Sequence, residues 1–128
     1  MTPVLRVTDV EFGYHPGKPV LRDISFEVSP GEVFIILGAN GCGKSTLMRT
    51  ILGECKPTSG RITVGGDDVA SLGVKQLAQR LAMVFQDHSA PFPFTVLDVV
   101  KMGRTPHLPP FASPTKKDNV ICLEALET

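Results

Sequence analysis

The chain has 128 residues, 42% of them hydrophobic, and this length and composition suit one modest globular domain. Lysine plus arginine equal aspartate plus glutamate at 13 each, so the chain has no overall basic field for nucleic acid or for an acidic membrane surface. Its three cysteines show neither a CxxC pair nor metal-ligand spacing, which argues against a disulfide scaffold and predicts a reducing, cytosolic compartment.

The N-terminal part of the chain predicts an antiparallel hairpin followed by a buried strand. LRVTDVEFGY (5–14) and VLRDISFEV (20–28) mix β-branched and aromatic residues with polar ones, and HPGKP between them contains a Pro-Gly turn signal. After a second break at Pro30 and Gly31, the continuous apolar run VFIIL (33–37) is typical of a central strand that is buried on both faces.

The next segments alternate between helix and strand patterns. KSTLMRTIL (44–52) fits a helix that ends before Gly53, a natural C-cap residue. RITV (61–64) predicts a strand, VKQLAQRL (74–81) a short helix and AMVF (82–85) another strand. The fold class that follows is α/β, with an antiparallel β portion beside a strand that feeds a glycine loop and a helix.

The character of the sequence changes after Gln86, where prolines become frequent. TVLDVVKMG fits a helix in which Thr95 and Asp98 form a capping box, and DNVICLEALET begins a further amphipathic helix. We therefore divide the chain into a β-hairpin and glycine-loop core, residues 1–86, and a second part, residues 87–128. The last helix pattern stops at the chain terminus without a C-cap or a following strand, which predicts a fragment.

A phosphate-binding motif stands between the predicted central strand and the first predicted helix. GANGCGKST (38–46) matches the phosphate-loop (Walker A) pattern G-x-x-x-x-G-K-[ST] at Gly38, Gly43, Lys44 and Ser45. The alternative is a glycine-rich connection without a ligand. The order of strand, loop and helix favours the phosphate loop, because that is the context in which the motif binds phosphate.

The chemistry of a polyphosphate explains this composition. Many backbone N–H groups can converge on the anion only where no Cβ blocks the approach, and the start of a helix adds further unpaired N–H groups. We expect Lys44 to neutralise β- and γ-phosphate oxygens, Ser45 to coordinate Mg²⁺ and Thr46 to contact the α-phosphate. The residues predicted to bind the nucleotide in this loop are Gly38, Ala39, Asn40, Gly41, Cys42, Gly43, Lys44, Ser45 and Thr46.

Two further features have both a functional and an ordinary interpretation. Cys42 lies in the loop beside Lys44, where its thiol would be open to modification, although a tolerated small residue at a variable position is the simpler interpretation. Asp67 and Asp68 follow a Gly-Gly turn and fit a solvated loop better than a metal site.

Together these segments resemble the ATP-binding subunit of an ABC transporter over essentially all 128 residues. The resemblance comes from Tyr14 at the end of the first strand, the following hairpin, GANGCGKST, PTSGRITVGGDDV (57–69), and VFQD with Gln86. It implies the P-loop NTPase fold of ABC ATPases, with ATP and Mg²⁺ as cofactors. Tyr14 would stack on adenine, Gln86 would reach Mg²⁺ or the attacking water, and the catalytic residues would be Lys44 and Gln86.

A narrower resemblance concerns the cargo. FTVLDVVKMGRTPHLPPF (94–111) is similar to the segment that follows the Q-loop glutamine in importer ATPases for iron-siderophore complexes, haem and cobalamin. By the same resemblance, PFPFTV (91–96) would pack against a membrane subunit. The alternative for PFPFTV is a local cluster that covers the helix starting near Thr95.

The resemblance also implies partners and missing parts. The family's LSGGQ signature, catalytic glutamate and switch histidine follow the Q-loop, and we find none of these motifs here. We therefore expect a head-to-tail dimer with a second ATP-binding subunit, transmembrane permease subunits, and a cytoplasmic, peripheral location on the inner face of the cell membrane. No nucleic acid and no membrane span of this chain are expected, and the 128 residues alone should be inactive as an ATPase.

Two other functions stay open at this point. One is a non-catalytic nucleotide-binding or assembly module. The other is a soluble ABC-type ATPase that acts in translation or DNA repair, against which the neutral net charge argues.

Overall fold

The computed structural model of the chain describes residues 2–87 and 92–128. Its backbone forms two compact units, Met1–Leu81 and Ala82–Thr128. The chain thus passes from one unit to the other a few residues before the boundary that the sequence suggests after Gln86.

The first unit is built on a four-stranded antiparallel sheet. Its strands are β1 (Leu5–Phe12), β2 (Leu21–Val28), β3 (Ser59–Val64) and β4 (Asp67–Asp68), in the spatial order β2-β1-β3-β4. β1 pairs with β2 in antiparallel register, so the predicted hairpin is confirmed. β1 also pairs with β3, so it lies between two other strands of this sheet.

A bulge in β1 adjusts which of its side chains face the core. The register of β1 against β2 shifts between Val7 and Val10, and Asp9 within this step has a positive φ of 47°. Ser25 holds the bulge, because its hydroxyl oxygen accepts a hydrogen bond from the Asp9 N–H (2.8 Å). The extra residue lets both Val7 and Val10 point to the core, where a regular alternation would turn one of them outward.

Helix α1 (Lys44–Ile51) packs one face on this sheet. Gly53 follows it with φ 77° and donates its N–H to the Thr50 carbonyl, so the predicted glycine C-cap is confirmed. A short 3₁₀ turn (Val69–Ser71) and helix α2 (Val74–Ala78) close the unit, α2 being shorter than predicted. The buried apolar side chains of this core are Val7, Val10, Phe12, Leu21, Leu47, Ile51, Ile62, Val64, Val69 and Leu77.

The second unit is helical, with α3 (Val96–Met102), a 3₁₀ turn (Thr105–His107) and α4 (Lys116–Leu126). The predicted capping box of α3 is confirmed. The Thr95 N–H donates to Asp98 Oδ2 (3.0 Å) and the Asp98 N–H donates to Thr95 Oγ1 (3.2 Å).

A second capping box begins α4 and carries an ion pair. Thr115 and Asp118 exchange the same two hydrogen bonds, and Arg104 Nε lies 2.8 Å from Asp118 Oδ1. Hydrogen bonds from the Thr115 hydroxyl and N–H, and then the Arg104 guanidinium, hold the pKa of Asp118 well below its usual range. Asp118 is 5% exposed, so this pair ties the segment after α3 to the start of α4.

The strands predicted from two apolar runs are not formed, so these two predictions are wrong. The runs 33–37 and 82–85 form no strand, and Val33 and Leu37 are 86% and 88% exposed, whereas burial on both faces was predicted. The physical reason is the lack of neighbouring strands, because a strand exists only as part of a ladder and no strand in the described ranges pairs with either run. Two residues of the run 33–37 contact the rest of the unit: the Phe34 ring stacks on Phe26 of β2 with ring centroids 4.6 Å apart, and Ile36 packs against the core.

Among the residues that the structure describes, none of the helices has the length and apolar character required to span a bilayer.

Candidate nucleotide-binding site

The loop 38–46 has the backbone conformation that its glycines allow. Gly41 has φ 81°, and Gly43, the residue directly before α1, has φ 106°. Residues with a Cβ rarely adopt such angles, so these two positions bend the chain sharply into the helix. The segment that the sequence predicts to hold phosphate thus ends at the N-terminus of a helix.

Gly43 also fixes the loop to the sheet. A Cβ built on Gly43 would lie 3.3 Å from side-chain carbons of both Val20 and Leu21, at the start of β2. The hairpin therefore supports the loop, and no larger residue fits between them without displacement.

The first turn of α1 leaves backbone donors available. The helix ladder begins with the hydrogen bond from the Leu47 N–H to the Gly43 carbonyl (2.9 Å). The N–H groups of Lys44, Ser45 and Thr46 therefore have no partner within the helix. With the helix dipole they make this end of α1 attractive to an anion.

Lys44 places its charge over the loop. Its ammonium donates hydrogen bonds to the carbonyl oxygens of Gly38 (2.5 Å) and Ala39 (2.8 Å), and lies 3.7 Å from the Cys42 sulfur. The cation thus bridges the two ends of the loop. A Cβ on Gly38 would come within 2.6 Å of the Cys42 sulfur, so a side chain there would require the Cys42 side chain to move.

The other predicted phosphate-binding residues differ in exposure. Thr46 is buried, whereas Ala39, Asn40, Gly41, Cys42 and Ser45 are exposed or partly exposed. The Ser45 hydroxyl is at the helix start, which is the position that the predicted metal role requires. These residues are brought together on one loop, and their individual roles stay predictions.

Tyr14 meets the phosphate loop, although it stands 32 positions before its contact Thr46 in the sequence. Its hydroxyl lies 3.3 Å from Thr46 Oγ1, and its ring meets the buried ring of Phe12 edge-on, with centroids 5.0 Å apart. Tyr14 is 52% exposed. A half-exposed aromatic residue therefore lies beside the loop, and adenine stacking requires an accessible ring.

Gln86 belongs to the second unit, where it occupies an exposed bend. Its predicted contact with Mg²⁺ or water stays a prediction.

Of the PFPFTV stretch, Pro91 lies outside the described residues, while Phe92 and Phe94 are exposed and form an edge-on ring pair with centroids 6.0 Å apart.

The aspartates after the Gly-Gly turn form ion pairs. Asp67 Oδ2 lies 2.6 Å from Arg80, and Asp68 Oδ2 lies 2.8 Å from Arg61 while its other oxygen caps the 3₁₀ turn at Ala70. The expectation of a solvated loop is therefore incomplete, since both carboxylates have cationic partners. Within residues 2–87 and 92–128, no three His, Cys, Asp or Glu side chains are grouped as a metal site would need.

A cavity of about 590 Å³ lies elsewhere in the first unit, at the C-terminal end of α1. Leu52, Ile62 and Leu77 contribute to its largely apolar lining. It lies at the end of α1 opposite to the phosphate loop, about 12 Å away along the helix axis. This cavity is therefore separate from the candidate nucleotide site at the loop.

Sequence reasoning missed three residues with a structural role, one beside the candidate site and two in the second unit. Phe12, which supports the Tyr14 ring, was assigned only to a strand, and nothing local to it signals this contact. The capping pair Thr115 and Asp118 could have been found from its T-x-x-D spacing, the same signal that identified Thr95 and Asp98.

Comparison with known proteins extends this description. The ABC transporter family profile matches residues 21–126. The hemin import ATP-binding protein HmuV of Bordetella pertussis is 46% identical over 90 residues, which cover 70% of this chain and 34% of that protein. The molybdate import ATP-binding protein MolC of Haemophilus influenzae is 34% identical over 127 residues, covering 99% of this chain and 45% of that protein.

A solved structure agrees with the sequence comparisons. CbiO1 of Clostridium perfringens, part of the ABC transporter complex cbiONQ, superposes with a TM-score of 0.81 at 30% identity. The match covers 99% of this chain and 50% of that chain, and the chain spans less than half of the length of the two curated relatives above. The predicted fold class is confirmed as the α/β P-loop NTPase fold of ABC ATPases. By its sequence and its fold, the chain belongs to the ABC transporter family, among its ATP-binding proteins.

Proposed function

We propose that this chain binds ATP with Mg²⁺ at the loop 38–46 and forms part of an ATPase that powers import of a metal chelate. The main observation that supports the nucleotide site is that three sets of groups lie at one place. These are the open N–H groups at the start of α1, the ammonium of Lys44 on the loop, and the half-exposed ring of Tyr14 beside it.

Each of these groups has a distinct part in binding. The loop and helix N–H groups hold phosphate oxygens, and Lys44 neutralises their charge from its position over Gly38 and Ala39. Tyr14, which is half-exposed, stacks on the adenine. Ser45 fits a magnesium ion, because its hydroxyl is an oxygen ligand of the kind that Mg²⁺ takes together with phosphate oxygens. When bound, Mg²⁺ neutralises charge on the β- and γ-phosphates.

Hydrolysis belongs to the whole protein in this proposal. Gln86 orients the attacking water or contacts Mg²⁺, and a second ATP-binding subunit packs head to tail to complete the site. Transmembrane permease subunits carry the cargo, and the ATPase acts on the cytoplasmic face of the membrane without contacting nucleic acid. The 128 residues alone bind ATP without turning it over.

The cargo class is proposed from two observations. The haemin relative has the higher identity, 46% over 90 residues, although the molybdate relative matches over more of the chain. The segment 94–111 carries the Gly-Arg and Pro-His pairs that resemble importers of iron-siderophore complexes, haem or cobalamin.

Calorimetry tests the nucleotide site directly. Titration of the chain with ATP should give a saturable heat that depends on Mg²⁺, and Lys44→Ala should weaken the affinity about tenfold to a hundredfold because a charge-assisted contact is lost. Lys56→Ala, which removes a lysine beyond the far end of α1, is the matched control and should bind like the wild type. Absence of magnesium-dependent binding to the folded wild-type chain would contradict the proposal.

The cargo is tested separately in cells. Disruption of the gene should abolish uptake of labelled haem, ferric siderophore or cobalamin and leave molybdate uptake unchanged. Loss of molybdate uptake with unchanged uptake of the metal chelates would contradict the proposed cargo and would leave the proposed ATPase unchanged.

A further inference from the structure

A hydrogen bond links the two halves of the candidate nucleotide site. Tyr14, which follows β1, and Thr46, the third residue of α1, bring their hydroxyl oxygens to 3.3 Å. Tyr14 is on the side proposed for the base, and Thr46 is on the side proposed for the phosphates. The contact therefore joins groups that would recognise two different ends of one ligand.

The Tyr14 ring has two buried neighbours and is itself half-exposed. Phe12 meets the ring at an interplanar angle of 84°, and the Thr46 hydroxyl meets its polar tip. Phe12 and Thr46 are each 9% exposed, whereas Tyr14 is 52% exposed. Two buried side chains thus contact an aromatic residue that remains half-exposed.

Thr46 is itself well anchored. Its carbonyl oxygen accepts a hydrogen bond from the hydroxyl of Thr50 (2.7 Å), and Thr50 is fully buried. Packing of Leu47 in the core holds the same turn of α1. A hydroxyl on such a rigid support can set the position of a neighbouring ring.

We propose that Thr46 is a positioning residue for Tyr14 and that it couples base binding to phosphate binding. This inference rests on the proposed function. In the free protein either hydroxyl can be the donor. A phosphate oxygen only accepts, so Thr46 must donate its one proton to it, and Tyr14 must then donate to Thr46. The hydrogen bonds run in one direction, from Tyr14 to Thr46 to the phosphate, and hold the hydroxyl end of the Tyr14 ring in place when phosphate is bound.

A double-mutant cycle with two ligands tests this coupling. The variants are Tyr14→Phe, Thr46→Val and the double variant, and the ligands are ATP and inorganic tripolyphosphate, each with Mg²⁺. Tyr14→Phe keeps the ring and should raise the Kd for ATP about threefold to tenfold, the effect of one hydrogen bond. Its Kd for tripolyphosphate should not change, because that ligand has no base to stack.

The second arm isolates the role of Thr46. In the Thr46→Val background, Tyr14→Phe should have no further effect on ATP binding, since the partner hydroxyl is already gone. Thr46→Ser keeps a hydroxyl and should restore the sensitivity to Tyr14→Phe. Because Tyr14 is the single tyrosine of the 128 residues and tryptophan is absent from them, its fluorescence reports the ring directly in the titrations of the wild type and of the Thr46 variants that keep Tyr14.

The outcomes separate this inference from the one it rests on. If the wild type binds ATP but Tyr14→Phe binds it equally well, or if the two substitutions add independently, the coupling is refuted and the nucleotide site stands. Equal weakening of ATP and tripolyphosphate by Tyr14→Phe would also refute it, because that result describes general damage to the loop. If the folded wild type binds neither ligand, both proposals fall.

Discussion

Gly60 lies so close to Asp9 that a Cβ on the glycine would overlap the Asp9 carbonyl oxygen. Gly60 also has φ 82°, and it sits where β3 passes the bulge of β1. Any side chain at this position must therefore push the two strands apart within the sheet.

The first prediction follows from this contact. Gly60→Ala should destabilise the chain by about 2–5 kcal/mol, from the left-handed backbone and the steric overlap together. Gly17→Ala is the matched control, because Gly17 has a similar φ of 73° but nothing lies within 4 Å of the position that a Cβ would take there. Gly17→Ala should cost only about 1–2 kcal/mol. Urea unfolding measures both values, and equal losses would show that the overlap with Asp9 relaxes freely.

Much of this fold was predictable because its signals are local. The glycine loop, the helix after it and the capping box at Thr95 each depend on residues within a few positions of one another. The two strands of the hairpin are consecutive in the chain and are joined by a local turn signal. The contact of Tyr14 with Thr46 was not predictable from the residues alone. It depends on the way in which the sheet places two distant segments side by side.

The strands predicted at 33–37 and 82–85 failed for a different physical reason. An apolar run predicts that a segment would be stable in a buried strand, but the run does not provide the neighbouring strands. The apolar residues favour a position between two neighbouring strands. The described residues do not supply those strands, so side chains of both runs are exposed.

The second prediction concerns Cys42, which is exposed and lies 3.7 Å from the Lys44 ammonium. Iodoacetamide should modify Cys42 before the buried Cys122, and the adduct should block ATP binding because it fills space beside Gly38 and Lys44. ATP at about ten times its Kd should slow the modification about tenfold, because only the free protein reacts. Mass spectrometry follows the modification.

Cys42→Ser provides the control for this experiment. The treated variant should keep ATP binding, which would exclude an effect through the other two cysteines. A modification rate of Cys42 that ATP does not change would contradict the prediction.

The third prediction is a pH dependence in the second unit. The pKa of Asp118 is lowered by the Thr115 hydrogen bonds and by Arg104, so the folded state favours the carboxylate more than the unfolded state does. The stability that this carboxylate provides is therefore complete above its unfolded pKa of about 3.9 and is lost as the pH falls below that value. Asp118→Asn should lower the melting temperature at pH 7, and the difference from the wild type should shrink at about pH 3, below that unfolded pKa.

Asp98→Asn is the matched control for Asp118→Asn. Asp98 caps α3 with the same hydrogen-bond pattern, and the Thr95 side chain and N–H lower its pKa in the same direction, but no arginine pairs with it among the described residues. Its substitution should cause a smaller loss at pH 7. Equal losses would assign the effect to the capping box and none of it to Arg104.

The last prediction concerns the exposed face of the run 33–37. Val33, Ile35 and Leu37 alternate along this segment and are 86%, 70% and 88% exposed, whereas Phe34 stacks on β2 and Ile36 packs against the core. A segment with apolar side chains and backbone groups outside any ladder of the described residues is a template for pairing with another chain. The 128-residue chain should therefore self-associate as its concentration rises from about 10 to 200 μM, in the range where exposed apolar surface causes aggregation.

Ile35→Lys should suppress this association, because a charge on the exposed face opposes close packing of two such segments. Val74→Lys is the control, since Val74 is 87% exposed but belongs to helix α2, where the backbone is already helical. Sedimentation velocity distinguishes the two variants, and the control should associate like the wild type. A wild-type chain that stays monomeric throughout the concentration range would show that the face of Val33, Ile35 and Leu37 does not recruit a second chain, whatever its exposure.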